Sequence, residues 1–183
     1  RQESHDLLLY PLIRIMKKEA LSFIRRNERF ILTAHETPDA DAIGSECATY
    51  HALKQLGKEV RIINADSTPR IFSFIDTADA VEVLDEGFDS SSVAESCLLI
   101  LDSNDINNIG AVRDRVLASV SEYFIIDHHE EDGSLVRTNY IQGQASSTCE
   151  LLFDLFVELG VTINREIALA LYAGIVYDTG SFV

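Results

Sequence analysis

Short apolar runs that end in polar corners, alternating with stretches of helical spacing, set the rhythm of this chain. Leu12, Ile15, Met16, Leu21 and Ile24 recur at helical spacing while Arg14, Lys17, Lys18 and Arg25 fill the other face, which predicts an amphipathic opening helix over residues 11–27. Phe30, Ile31 and Leu32 then form a continuous apolar run, read as a buried strand over residues 30–34 that stops at His35. After the Pro38 loop a helix begins near Asp41, with Ile43, Cys47, Tyr50, Leu53 and Leu56 on one side and Gly57 placed to close it in a left-handed cap. Val60, Arg61, Ile62 and Ile63 predict the next strand. From Ser67 to Ser96 the pattern is less regular, with a short helix at Ile71, Phe72, Phe74 and Ile75 and a short strand over residues 81–83. Residues 97–101 are apolar throughout and end in a polar stretch, residues 102–108, before Val112, Val116 and Val120 resume helical spacing. Tyr123, Phe124, Ile125 and Ile126 repeat the strand pattern and run directly into Asp127, His128 and His129. Helices over residues 147–159 and 165–176 complete the pattern.

Parallel strands need long crossovers, and helices supply them, so this alternation predicts an α/β domain: a mostly parallel sheet with helices on both faces. A length of 183 residues with 46% hydrophobic content suits a single domain over residues 1–183 with a sizeable core. The balance of 15 basic and 30 acidic residues, a net charge of -15, repels a polyphosphate surface, so long duplex nucleic acid is not an expected partner. Divalent cations would reverse that logic locally for a small phosphate substrate. Cys47, Cys97 and Cys149 show neither CxxC spacing nor a paired framework and read as reduced core thiols. No membrane-spanning stretch or secretory signal is visible, so the expected setting is cytoplasmic.

Three apolar strands end in residues able to hold metals: His35 after the first, Asp102 after residues 97–101, and Asp127, His128 and His129 after residues 123–126. The first loop adds Asp39 and Asp41, with Pro38 restraining the turn. Carboxylates packed this closely repel one another without a cation, which favours a divalent metal cluster. Oxygen-rich donors with a minority of imidazoles and no thiolate suit Mn²⁺ first, with Mg²⁺ or Fe²⁺ as alternatives. Two such ions about 3.5–4 Å apart would clamp an in-line attack on phosphorus, with Asp102 as the natural bridge. Taken singly, His35 would more often be a capped or core histidine than a ligand, and Asp39 or Asp41 more often the N-cap of the next helix. Asp178 could simply begin a turn with Thr179 and Gly180. Ser146, Ser147 and Thr148 with Glu150 form a capping box.

These motifs resemble those of the DHH phosphoesterase family. The stretch from His35 through Pro38, Asp39, Asp41, Gly44 and Ser45 is similar to the family's first motif, Asp127-His128-His129 to the triplet that names it, and Asp102 and residues 174–182 fall in the family's order. The resemblance spans about residues 29–182 and is nearest to the nanoRNase group of oligoribonucleases and PAP phosphatases. It implies that His35, Asp39 and Asp102 hold one Mn²⁺ and that Asp41, Asp102, His128 and Asp178 hold the other. It further implies that Asp127 orients His128 and that His129 faces the phosphate, with Asp102, His128, His129 and Asp127 as the catalytic set. The implied substrate is a small nucleotide or very short single-stranded RNA. Cyclic dinucleotide phosphodiesterase, inorganic pyrophosphatase and a non-catalytic metal- or nucleotide-binding domain are the alternatives, and a homodimer is left open. Asn108 stands where an arginine is common, and the family's smaller second domain is not expected within this chain.

Overall fold

The computed structural model describes residues 2–129 and 139–181. Among them six strands form one sheet: β1 (Arg29–Thr33), β2 (Glu59–Asn64), β3 (Val81–Val83), β4 (Cys97–Leu101), β5 (Glu122–Asp127) and β6 (Tyr140–Ile141). Every pairing is parallel and the order is β3-β2-β1-β4-β5-β6. The chain winds outward from β1 to β3, then returns to the other side of β1 as β4 and continues to β6. A crevice opens where the winding reverses, at the carboxyl ends of β1 and β4.

Four α-helices accompany the sheet: α1 (Gln2–Arg26), α2 (Ala40–Gln55), α3 (Thr148–Leu159) and α4 (Arg165–Asp178). Helix α1 starts before the expected residue 11 and carries Pro11 inside it. Met16, Leu21 and Ile24 are buried as expected, joined by Ala20 and Phe23, whereas Ile15 is 51% exposed and lies off the buried stripe. Helix α2 closes as expected at Leu56, with Gly57 in the left-handed region at φ 78°.

Alternate residues of each strand divide between two cores, as the two-residue period of a pleated sheet requires. Phe30, Leu32, Leu99, Leu101, Phe124 and Ile126 pack with all four α-helices. Ile31, Ile63, Leu98, Ile100 and Ile125 face the opposite side, against Val93, Ile109, Val112 and Val116. That second face is covered by short segments, 3₁₀ turns at Ser90–Val93 and Ile106–Ile109 and a π-helical turn at Arg113–Leu117. Right-handed crossovers account for the split, since a connection running one way along the sheet and one running back cover opposite faces. The expected helix at Ile71 to Ile75 is a 3₁₀ turn at Arg70–Phe72, in which Ile71 is 73% exposed.

Helix α2 lies between the sheet and α4, and residues 40–49 of it are buried almost without interruption. Small residues make the approach to α4 close enough: a Cβ on Gly44 would sit 2.6 Å from the Ala170 carbonyl oxygen. One on Gly174 would sit 2.5 Å from Asp41 Oδ1 and press on Cys149 Sγ. All three cysteines are buried free thiols, as expected. Among the described residues no helix is long and apolar enough to cross a membrane.

Candidate metal centre

Each polar corner delivers its side chains to the crevice through a local device. Beyond β1, Ala34 is buried and His35 turns its Nδ1 to the Glu36 carbonyl, 2.7 Å away. Donating from Nδ1 leaves the Nε2 lone pair to face Asp102 Oδ2 at 3.7 Å. Asp39 is the N-cap of α2, but the cap uses one oxygen alone: Oδ1 accepts the amides of Asp41 and Ala42 at 2.9 and 3.1 Å. The capping and ligand readings of Asp39 are therefore compatible.

Asp102 follows β4 with φ at 57°, in the left-handed region that aspartate tolerates better than most residues. It is 3% exposed, and its two oxygens look toward different histidines. Oδ2 lies toward His35, and Oδ1 lies 3.7 Å from His128 Nε2 and 3.9 Å from His129 Nδ1. The Thr148 hydroxyl donates to Oδ1 at 2.9 Å.

At the end of β5, Asp127 was expected to orient the His128 ring. Instead its Oδ1 accepts the His128 backbone amide and pairs with His129 Nδ1, both at 2.8 Å. The His128 ring is held by the Ala145 carbonyl, 3.4 Å from Nδ1. His128 Nε2 then lies 2.8 Å from Asp178 Oδ2, 3.7 Å from Asp102 Oδ1 and 3.9 Å from Asp41 Oδ2, yet it is buried without a hydrogen-bond partner. Asp178 is the last residue of α4 rather than part of the turn beyond it. Phe182, the end of that motif, lies outside the described residues.

Thr148 and the start of α3 were expected to act as a cap, ahead of a substrate contact. The cap exists, with Ser147 accepting the Glu150 amide and Glu150 accepting that of Ser146. In addition, the amides of Thr148 and Cys149 donate to the two oxygens of Asp41 at 2.7 and 3.1 Å. A helix N-terminus thus fixes a carboxylate contributed by another helix. The sequence signal was available, since a Thr inside a capping box has a hydroxyl the box does not use. Asn108 bears on the site through its backbone, its carbonyl accepting the Glu36 amide at 2.8 Å.

Donor atoms converge in three groups, each with its atoms within 4.8 Å of one another: His35, Asp39 and Asp102; Asp41, His128 and Asp178; and Asp102, Asp127, His128 and His129. Ligands on opposite sides of one small divalent ion stand about 4–4.4 Å apart, given ion–ligand distances of about 2.0–2.2 Å. Each group is thus of a size that could hold one ion, and the first two are the sets that match the expected ligands.

The electrostatics point the same way. Among the described residues the cluster's ion pairs are all to histidine, with no Lys or Arg. Burial, with Asp102 beside it, pushes the Asp41 carboxyl up to about 8. Burial and Asp102 likewise raise Asp178. Burial also works to raise Asp102, but His35, the hydrogen bond from Thr148 and the nearby His128 outweigh it and hold the carboxyl below its usual value. His35 is raised to about 9, chiefly by the Asp102 carboxylate 3.7 Å away, and His129 to about 9 by its bond to Asp127. Without another cation the cluster retains protons, and a divalent ion would displace them.

Comparison with known proteins shows the family. Residues 29–175 match the model of the DHH family, N-terminal domain. A bifunctional oligoribonuclease and PAP phosphatase NrnA from Bacillus subtilis is 29% identical over 171 residues, covering 92% of this chain and 51% of that protein. The NrnA protein of Thermus thermophilus is 34% identical over 157 residues, covering 82% of this chain and 43% of that one. A crystal structure of an exopolyphosphatase-related protein from Bacteroides fragilis superposes with a TM-score of 0.82 at 28% identity, over 93% of this chain and 52% of that one. The chain spans about half the length of these relatives.

Proposed function

This chain belongs to the DHH family, and from that premise we propose that it forms the catalytic centre of a phosphoesterase acting on small nucleotides through two divalent cations, Mn²⁺ before Mg²⁺ or Fe²⁺. The favoured substrates are very short single-stranded RNA and 3′-phosphoadenosine 5′-phosphate. The names of the relatives, oligoribonuclease and PAP phosphatase, support that choice. Buried free thiols suit a reducing, cytoplasmic setting.

The observation that carries the reading is His128 Nε2, buried among the carboxylates of Asp178, Asp102 and Asp41 at 2.8, 3.7 and 3.9 Å with no well-aligned hydrogen bond to any of them. An imidazole nitrogen in such a ring is either a costly defect or a ligand. His35, Asp39 and Asp102 would hold one ion, and Asp41, Asp102, His128 and Asp178 the other. Asp102 could serve both ions, since its Oδ2 lies toward His35 and its Oδ1 toward His128. When bound, the ions supply Lewis-acid polarisation of a phosphoryl oxygen and a water nucleophile active at neutral pH.

The chain's own groups position and steady that chemistry. Thr148 and Cys149 hold Asp41 through backbone amides, and the Thr148 hydroxyl holds Asp102. Asp127 fixes His129 through Nδ1, leaving Nε2 of a half-exposed ring to donate to a phosphate oxygen at the rim. The test is a hydrolysis panel with Mn²⁺ and the natural full-length protein, offering PAP, dinucleotide RNA, cyclic di-AMP and pyrophosphate. Turnover of PAP or the dinucleotide, lost in Asp102→Asn, is expected. Cleavage of pyrophosphate alone overturns the substrate class, and failure to bind Mn²⁺ overturns the centre.

A further inference from the structure

The carboxyl end of β1, which carries His35, is tied to a buried polar pair that plays no part in the reading above. Asn64, the last residue of β2, is 2% exposed. Its Oδ1 accepts the Thr33 hydroxyl at 3.2 Å and the Ala34 amide at 3.4 Å, and its Nδ2 donates to Glu46 Oε2 at 2.9 Å. The paired register of β1 and β2 runs as far as Leu32 and Ile62, so the Asn64 side chain holds the segment leading to His35 just where the ladder stops. Two residues further on, Asp66 Oδ2 accepts the Thr37 amide at 2.9 Å, securing the same loop from its other side.

Glu46 projects from α2 and is wholly buried. Among the described residues its side chain makes one hydrogen bond, to Asn64, and Oε1 has no partner. Burying a carboxyl this sparsely bonded costs stability, and an apolar residue would fill the space without that cost. Burial pushes the group up to about 8, so at neutral pH it is held largely as the acid, to which a glutamine is close in shape.

Resting on the two-ion centre proposed above, we infer that Glu46 is a positioning residue for its His35 side, acting through Asn64 on the end of β1. Glu46 sets the Asn64 amide, Asn64 sets the Ala34 amide and the Thr33 hydroxyl, and His35 follows Ala34 in the chain. Asp41 shares α2 with Glu46 but is held by the amides of Thr148 and Cys149, and neither it nor His128 or Asp178 is bonded to Asn64 or the end of β1.

The experiment is Mn²⁺ titration of the natural full-length protein by calorimetry and by electron paramagnetic resonance, with His35→Ala marking which ion is lost from the His35 side. Glu46→Ala should weaken that same ion by roughly 10–100-fold, the usual effect of removing a group that orients a ligand, and leave the other within about twofold. Glu46→Gln, which keeps an oxygen for Asn64, should bind both ions nearly as the wild type does. Thr33→Val preserves the strand and should weaken the same ion by a few-fold, which serves if Glu46→Ala does not fold. A lower melting temperature with both affinities unchanged, an equal loss at both ions, or a Glu46→Gln protein as impaired as Glu46→Ala would each overturn the inference. A wild-type protein that binds no Mn²⁺ overturns the centre itself, a result distinguishable from failure of the relay.

Discussion

Gly174→Ala is the change for which the structure fixes the sign most firmly against the ordinary expectation. In an open helix the substitution stabilises by about 1 kcal/mol, because alanine has less conformational freedom to lose. Here the new methyl would stand 2.5 Å from Asp41 Oδ1 and 3.1 Å from Asp41 Cα while pressing on Cys149 Sγ. Neither neighbour can yield cheaply, since Asp41 is pinned by the amides of Thr148 and Cys149 and Cys149 is wholly buried. Overpacking of this kind costs about 1–3 kcal/mol, so after the propensity gain the net change is a destabilisation of up to about 2 kcal/mol. For a domain of this size that is a fall of several degrees in melting temperature, at about 2–4 °C per kcal/mol. The larger effect should fall on the metal, because moving Asp41 shifts a ligand of one ion, and an affinity loss of at least tenfold is expected. Thermal melts with EDTA and with Mn²⁺, beside calorimetric titration, measure both. A variant that melts higher than wild type and binds Mn²⁺ unchanged would refute the close approach of α4 to Asp41.

Thr148→Val removes the hydroxyl on Asp102 but keeps the backbone amide on Asp41. With about 1.5–3 kcal/mol for a hydrogen bond to a charged group, Mn²⁺ affinity and kcat/KM should fall by roughly 10–150-fold, as read by titration and steady-state kinetics. Asp102→Asn should abolish turnover and leave at most one tightly bound ion, counted by metal analysis after gel filtration. Stability of the metal-free protein should fall as pH rises from about 4 to about 8, because folded Asp41 and Glu46, pushed up to about 8 by burial, keep protons that the unfolded chain releases near pH 4. His35 and His129, raised to about 9 by the neighbouring carboxylates of Asp102 and Asp127, act in the same direction between about 6.5 and 9. Melting curves from pH 5 to 9 check this. Saturating Mn²⁺ should flatten or reverse the slope, and a metal-free protein that gains stability toward pH 8 would contradict it.

Much of this arrangement is legible in the chain because a buried strand must end, and the residues where it ends are forced toward the crevice. The run before Asp102 and the run before Asp127 become β4 and β5, and Asp102 to His129 meet because those strands are neighbours in the sheet. The same rule, applied to residues 59–64, would have marked Asn64 and Asp66 as another polar corner. They were passed over because neither belongs to a set of ligand types. Glu46 was hidden for a different reason. Periodicity assumes that a helix has one buried face, whereas α2 is enclosed by the sheet and by α4, and its run of Ala, Gly, Ser, Cys and Thr is what such enclosure demands. A charged residue within a helix of small residues is a candidate for burial rather than for the solvent face.

The capping and the ligand readings of several residues are compatible. Asp39 caps α2 with Oδ1 and leaves Oδ2 for the His35 group; Thr148 opens α3 with its backbone on Asp41 and its hydroxyl on Asp102. Helix starts are suited to this double use, because their unpaired amides steady a carboxylate without a countercharge that would compete with a metal. In a chain of net charge -15, whose clustered carboxylates meet neither lysine nor arginine among the described residues, amides and cations divide the task. The amides fix where the oxygens point, and the excess charge is left for divalent ions to neutralise. The centre should therefore keep its shape when the ions are removed by chelation, while its affinity for a phosphate ester disappears with them.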